Sequence, residues 1–278
     1  MVALTRRAFA LAAAAIPSGE WITLLAGPKP LTWLFTGDSI THGAAHTNGW
    51  RSYPEHFAER LRWELRRPRD IVINTGSSGD RLPKMLTDLE SRVLRFKPDV
   101  VSLKFGMNDC LASAAGHSPF REALPDVYQK VTAAGALVIL HTPNLIYYPA
   151  DPARQDLLAY VEIIREFAAD RKLTLIDHYA HWSKTRTPQH KLLALLADGA
   201  IHPNQYGHIV LFHLLLRELG LYDPQSATGR LFVPYGSLTH CPNAFPSLGG
   251  PNFDAALASR EEKPTPYLHK PRVRHAAG

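Results

Sequence analysis

The sequence predicts an α/β fold in which one parallel sheet of five strands is covered by helices on both faces. Three observations predict it. Five short runs are nearly continuously apolar rather than alternating, as in strands buried on both faces. Helix-length stretches separate these runs, and strand–helix alternation at this spacing implies right-handed crossovers. The chain has 278 residues, 45% apolar and 20% charged, which suits one large domain with a full core.

Residues 1–24 read as an export signal. Arg6-Arg7 stands ahead of a brief apolar stretch, Ala10 to Ile16, which Pro17-Ser18-Gly19 breaks. The paired arginines resemble the twin-arginine type. Poor packing of residues 1–24 against the body is expected. The domain proper is expected over residues 25–222.

Its five strands are Thr32–Phe35, Ile71–Ile73, Val100–Leu103, Leu137–Leu140 and Leu173–Ile176. The clearest helix is Ala153–Ala168, where Leu157, Tyr160, Val161, Ile164 and Ala168 share one face. Helices are also expected over Tyr53–Leu65, Pro83–Leu94 and Phe120–Ala133. Asn204 can cap a last helix running to about Leu219. Residues 223–278 are rich in Pro, Gly and Asn without a sustained period. They read as an irregular extension wrapped on the domain, with a basic end beyond Ser259.

Several function classes are excluded. No apolar run reaches the ~18 residues of a spanning helix, so integral membrane association is not expected. The net charge is +6, but residues 1–24 carry +1 and residues 259–278 carry +3, which leaves +2 for the body. A nearly neutral body offers no footprint for nucleic acid. Two cysteines cannot build a disulfide-dense scaffold or a four-thiolate zinc site. Cys110 and Cys241 could pair in an oxidising compartment.

In open α/β sheets, sites form at the carboxyl ends of the strands. Gly37-Asp38-Ser39-Ile40-Thr41 follows the first run and Asn74-Thr75-Gly76-Ser77-Ser78-Gly79-Asp80 the second. Gly106-Met107-Asn108-Asp109 follows the third, and Asp198-Gly199-Ala200-Ile201-His202-Pro203-Asn204 precedes the last helix. Together these segments supply a hydroxyl, a glycine loop, an amide and an Asp/His pair. Nucleophilic acyl transfer needs those parts: a nucleophile, a base, a group that orients the base, and donors for the oxyanion.

These motifs resemble the SGNH hydrolases, also called GDSL-like esterases and lipases, over roughly residues 31–220. The resemblance implies a flavodoxin-like three-layer α/β/α sandwich. It implies Ser39 as nucleophile, His202 as general base and Asp198 as the residue that orients it. The oxyanion hole would be the Ser39 and Gly79 N–H groups with the Asn108 side chain. Gly79 is preferred to Gly76 because it stands directly before an Asp. Neither cofactor nor metal is implied.

One departure stands out. The family usually has two residues between Asp and His, whereas Gly199, Ala200 and Ile201 separate Asp198 from His202. Gly199 can absorb the extra residue. Asp177 or a backbone carbonyl is the alternative partner for the imidazole.

Competing motifs fail. Thr41 stands where a G-x-S-x-G elbow needs glycine, and no phosphate-binding G-x-x-x-x-G-K-[ST] is present. His178 and His181 have the spacing of one helical face, but no Cys or carboxylate set in the sequence completes a metal site with them. Trp50, Trp63, Tyr147, Tyr148 and Trp182 are expected in the core, although the tyrosines could line the pocket mouth. The expected function is an exported serine esterase that removes acetyl or other short acyl groups from carbohydrate. Lipid or general carboxylester hydrolysis is the alternative, and a non-catalytic glycan- or partner-binding protein is the alternative of another class.

Overall fold

The computed structural model describes residues 18–184 and 192–233. Five parallel strands form one sheet in the order β2-β1-β3-β4-β5. They are β1 (Thr32–Gly37), β2 (Ile71–Asn74), β3 (Val100–Lys104), β4 (Leu137–His141) and β5 (Thr174–Ile176). All four pairings are parallel, with Phe35 beside Asn74 on one side of β1 and Gly37 beside Lys104 on the other. Strand order reverses between β1 and β3, and the crevice at their carboxyl ends is where α/β sheets place ligands.

Burial on both faces holds for β3 and for the interior of β1 and β4. It does not hold for β2, whose four residues are exposed or half-buried, nor fully for β5. Both are edge strands, and an edge is covered less completely than the centre. Local composition does not say which apolar run will stand at the edge.

The helices form the two outer layers. On one side, α3 (Tyr53–Glu59) packs against α9 (Gln205–Glu218). On the other, α4 (Leu82–Thr87), α6 (His117–Ala133) and α7 (Leu157–Asp170) pack in succession. The expected stripe on α7 is buried as a set. Asn204 caps α9, its side chain accepting the Tyr206 and Gly207 N–H groups at 2.9 and 3.1 Å. The short α8 (His178–Lys184) contributes Trp182 to the core.

Two expected helices are interrupted. The segment after α3 widens into a π-turn, Arg60–Glu64, marked by the Leu65 N–H reaching Arg60 O at 2.9 Å. The Pro83–Leu94 stretch is divided into α4 and α5 (Leu89–Arg92) at Asp88. Thr87 and Ser91 donate their hydroxyls to the Lys84 and Asp88 carbonyls there, local bonds that compete with a continuous helix.

The expectation that residues 1–24 pack poorly fails where the structure can test it. Helix α1 (Ser18–Ala26) places Trp21 in the core, 6.1 Å from the Trp33 ring, with its indole N–H on Thr174 Oγ1 at 3.1 Å. Arg67 clamps the carbonyls of Leu25, Gly27 and Lys29 behind it. Residues 1–17 lie outside the described residues. So do residues 234–278, and with them Cys241. Residues 223–233 lie against the domain: Thr228 bonds Glu64, and its carbonyl meets His213 Nε2 at 2.9 Å. Among the described residues, no helix is long and apolar enough to cross a membrane.

Candidate active site

Ser39 opens α2 (Ser39–His42), a single turn that starts as β1 ends. Asp38 caps it, accepting the Ile40 N–H at 2.9 Å, and Gly43 closes it. As the first helical residue, Ser39 has a backbone N–H with no intrahelical partner. Its side chain sits in the crevice and is almost fully covered.

His202 reaches the same point from a loop. Its Nε2 lies 2.9 Å from Ser39 Oγ, and its Nδ1 lies 2.5 Å from Asp198 Oδ2. The other carboxylate oxygen of Asp198 accepts the N–H groups of Ala200, Ile201 and His202 at 2.9, 2.8 and 3.1 Å. Burial works against the Asp198 charge. The bonds from the His202 ring and from three N–H groups outweigh it and hold the carboxyl well below the usual carboxylate range. The extra residue is taken up at Gly199, whose φ of +69° is open to glycine and strained for other residues. Asp177 is occupied elsewhere, with Arg165 and Thr142.

The loop is also held from outside. The Asn144 amide donates to Ile201 O at 3.1 Å, the Tyr147 N–H to Ala200 O at 2.8 Å, and the Ala197 N–H to His202 O at 2.7 Å.

The expected oxyanion donors stand in the loops after β2 and β3. Gly79, at φ +80°, lies in a turn closed by the Asp80 N–H on Ser77 O at 3.1 Å. The Gly76 N–H is taken by Asn74 Oδ1 at 2.9 Å, whereas none of the described residues accepts the Gly79 N–H. Arg92 tethers this loop through the Asp80 carboxylate and the Thr75 carbonyl. Asn108 donates one amide hydrogen to Asp80 O at 3.1 Å, which ties the loops after β2 and β3 together. Asp109 secures the β3 loop by accepting the Leu82 and Gly106 N–H groups at 2.8 and 2.9 Å. Burial still pushes its carboxyl up to about 6 against those bonds.

Two neighbours were not found from sequence. Arg154 donates to Asn108 Oδ1 at 3.3 Å and to Met107 O at 3.0 Å, which fixes the amide with its NH₂ group on the Asp80 side. His46 lies flat on His202, ring centroids 3.6 Å apart and planes 7° apart. Its pKa is lowered, first by burial and then by His202, while Asp198 opposes the shift. Arg154 sits in an ordinary Pro-Ala-Arg turn that carries no signal. His46 lies in the Gly- and Asn-containing loop after α2, and that nearness to Ser39 was the available hint.

Beneath the site lies a buried polar group. Asp38 is raised by burial against the attraction of Lys104 and others, and burial pulls Lys104 down to about 8 against the attraction of Asp38. His178 meets His141 at 3.0 Å, so its ring serves the core. The one set of described side chains arranged for a metal ion is His46, Asp198 and His202, with ligand atoms within 4.8 Å of one another. Of the aromatic residues expected in the core, Trp182 is buried and Tyr148 is half-buried with its hydroxyl on Tyr179. Trp50 and Trp63 are exposed, contrary to expectation.

Known proteins resemble this chain in sequence and fold. A profile of the GDSL-like lipase/acylhydrolase family matches residues 35–210. An acetylxylan esterase from Geobacillus stearothermophilus is 29% identical over 210 residues, covering 67% of this chain and 93% of the relative. The structure of that organism's acetylxylan esterase Axe2 aligns with a TM-score of 0.56 at 24% identity, over 68% of this chain and 94% of Axe2. Its catalytic mutants replace a serine, an aspartate and a histidine. LAE5, an alpha/beta hydrolase from the metagenome of Lake Arreo, aligns with a TM-score of 0.59 at 24% identity, over 71% of this chain and 98% of LAE5.

Proposed function

The chain belongs to the GDSL-like lipase/acylhydrolase family and is a serine ester hydrolase, and we propose that it removes acetyl and other short acyl groups from carbohydrate outside the cytoplasm. One observation carries the chemistry: Ser39 Oγ, His202 and Asp198 form a continuous hydrogen-bonded relay. The acetylxylan esterase relative supports the substrate class.

In this reading His202 Nε2 takes the Ser39 proton as Oγ attacks the ester carbonyl. Asp198 holds the ring in the tautomer that leaves Nε2 free to accept, and stabilises the imidazolium that forms. Negative charge on the carbonyl oxygen meets the Ser39 and Gly79 N–H groups and the Asn108 amide. Each such donor is typically worth ~3–4 kcal/mol in the transition state. The imidazolium then protonates the departing sugar oxygen, which leaves as a hydroxyl. Water, deprotonated by His202, attacks the acyl-enzyme, and the imidazolium returns that proton to Ser39 Oγ as the acid leaves.

Acetate release from acetylated xylooligosaccharides, beside p-nitrophenyl acetate, tests the proposal. Wild type is expected to cleave both and Ser39→Ala neither. Cleavage of long-chain esters alone would move the assignment to lipids. For export, the first residue of the protein recovered from periplasm is expected to lie after the Arg6-Arg7 segment and ahead of Trp21, which the core requires.

A further inference from the structure

Outside the crevice, a groove of about 290 Å³ runs along the open edge of the sheet between α3, the π-turn and β2. It is near the lower bound for small-molecule sites. We propose that this groove is an accessory subsite for a neutral carbohydrate chain, with Trp63 as its stacking platform. The inference rests on the carbohydrate-ester reading and extends it from the scissile acetyl group to the chain that bears it.

Trp63 is 74% exposed, although it is one of the largest apolar side chains of the protein. The π-turn accounts for this. Arg60 and Glu64 are turned inward, Arg60 to Leu221 O at 2.9 Å and Glu64 to Thr228. In an α-helix a residue three places on stays near the face of the first. The wider π-turn swings Trp63 further from Arg60, toward the groove. Such turns recur at functional sites.

The remaining lining fits an uncharged, hydroxyl-rich ligand. Arg51 and Arg62 are balanced by Glu55 and Glu59, and Arg51 pairs with Glu59 at 3.2 Å. The groove therefore holds no excess charge for an anion or a cation, yet it offers donors and acceptors along both walls. A flat indole face beside such groups suits the C–H face and the hydroxyl rim of a pyranose ring.

The groove is also tied to the site through the backbone. Asn74 lines it, and its amide donates to Thr41 O at 2.7 Å, two residues after Ser39. Its Oδ1 accepts the Gly76 N–H at the start of the loop that carries Gly79. From the other side, the loop that places His46 on His202 continues directly into Arg51. The residues that line the groove are thus bonded to, or continuous in sequence with, the segments that carry Ser39, Gly79 and His46.

The test compares wild type, Trp63→Ala and Trp63→Phe on p-nitrophenyl acetate and on acetylated xylooligosaccharides of increasing length. An exposed position should tolerate these changes without loss of fold. Trp63→Ala is expected to raise KM for the longer oligosaccharides about tenfold, equivalent to ~1.4 kcal/mol. It should leave kcat and p-nitrophenyl acetate turnover unchanged, and Trp63→Phe should recover most of the loss. Unacetylated xylohexaose should quench tryptophan fluorescence in wild type and not in Trp63→Ala. If wild type cleaves the oligosaccharides and Trp63→Ala matches it at every length, the subsite is wrong. If wild type cleaves p-nitrophenyl acetate but no acetylated carbohydrate, the substrate reading itself has failed. A wild-type dimer that Trp63→Ala converts to monomer would assign this face to a second copy and overturn the subsite.

Discussion

The two halves of the catalytic relay are secured in opposite ways. Ser39 stands where a buried strand ends, on a turn capped by Asp38 and packed over the sheet. His202 stands on a loop organised around one carboxylate, since Asp198 accepts from three backbone N–H groups and from the ring, with further bonds from Asn144, Tyr147 and Ala197. A serine can therefore be removed without disturbing its support, whereas the aspartate is part of the support. The comparison teaches that one residue can have both a chemical and an architectural role, and that these are separable by choice of substitution.

The largest expected effect is on the strand-borne side. Ser39→Ala should lower kcat by ~10⁶ with the melting temperature unchanged, because loss of a nucleophile removes the whole relay. Asp198→Asn should cost ~10⁴ in kcat by allowing the wrong tautomer, while its remaining oxygen still accepts backbone N–H groups. Asp198→Ala should add a loss of about 1–2 kcal/mol in stability, comparable to loss of a helix cap. Calorimetry on the two aspartate variants checks this. Equal melting temperatures would show that the loop does not depend on the carboxylate.

Smaller effects are expected at Asn108 and the arginine that holds it. Asn108→Ala should reduce kcat by ~10²–10³ with little change in KM. Arg154→Ala should fall short of that, since the arginine acts only by orienting the Asn108 amide. Arg154→Lys should not fully restore the rate, because a lysine cannot reach both Asn108 Oδ1 and Met107 O with a planar fork. A KM effect without a kcat effect in Arg154→Ala would place the arginine in substrate binding instead.

The last expectation concerns acid. Burial lowers the pKa of His56 and His213 to about 4 and of His208 to about 3. Unfolded histidines titrate near 6.5, so between 6.5 and these values the unfolded chain binds more protons. Stability is full above about pH 6.5 and should decline as pH falls toward 3. Asp198 has the same sign at lower pH: its depressed pKa stabilises the fold above the usual aspartate range and the contribution is lost below it. A melting temperature that stays constant from pH 7 to 4 would contradict the histidine contribution.

Sequence alone determined the five strands, the buried stripe of α7, the Asn204 cap and the identities of Ser39, Gly79, Asn108, Asp198 and His202 as candidates. The strands, the stripe and the cap follow from periodicity and capping geometry; the five site residues follow from short motifs whose roles the family resemblance implied. What the tertiary structure decided has no local signature. The edge position of β2 follows from strand order, which long-range pairing selects. Trp21 belongs to the core because α1 docks over Trp33 and Thr174, although its neighbours read as a leader. Trp63 is exposed because Arg60 and Glu64 are drawn toward residues more than 150 positions away, which widens the turn between them. The placement of His46 on His202 and of Arg154 on Asn108 likewise joins residues from separate loops. The physical reason is common to all four: a side chain's surroundings depend on which distant segments the packed core brings to it, and only folding supplies that.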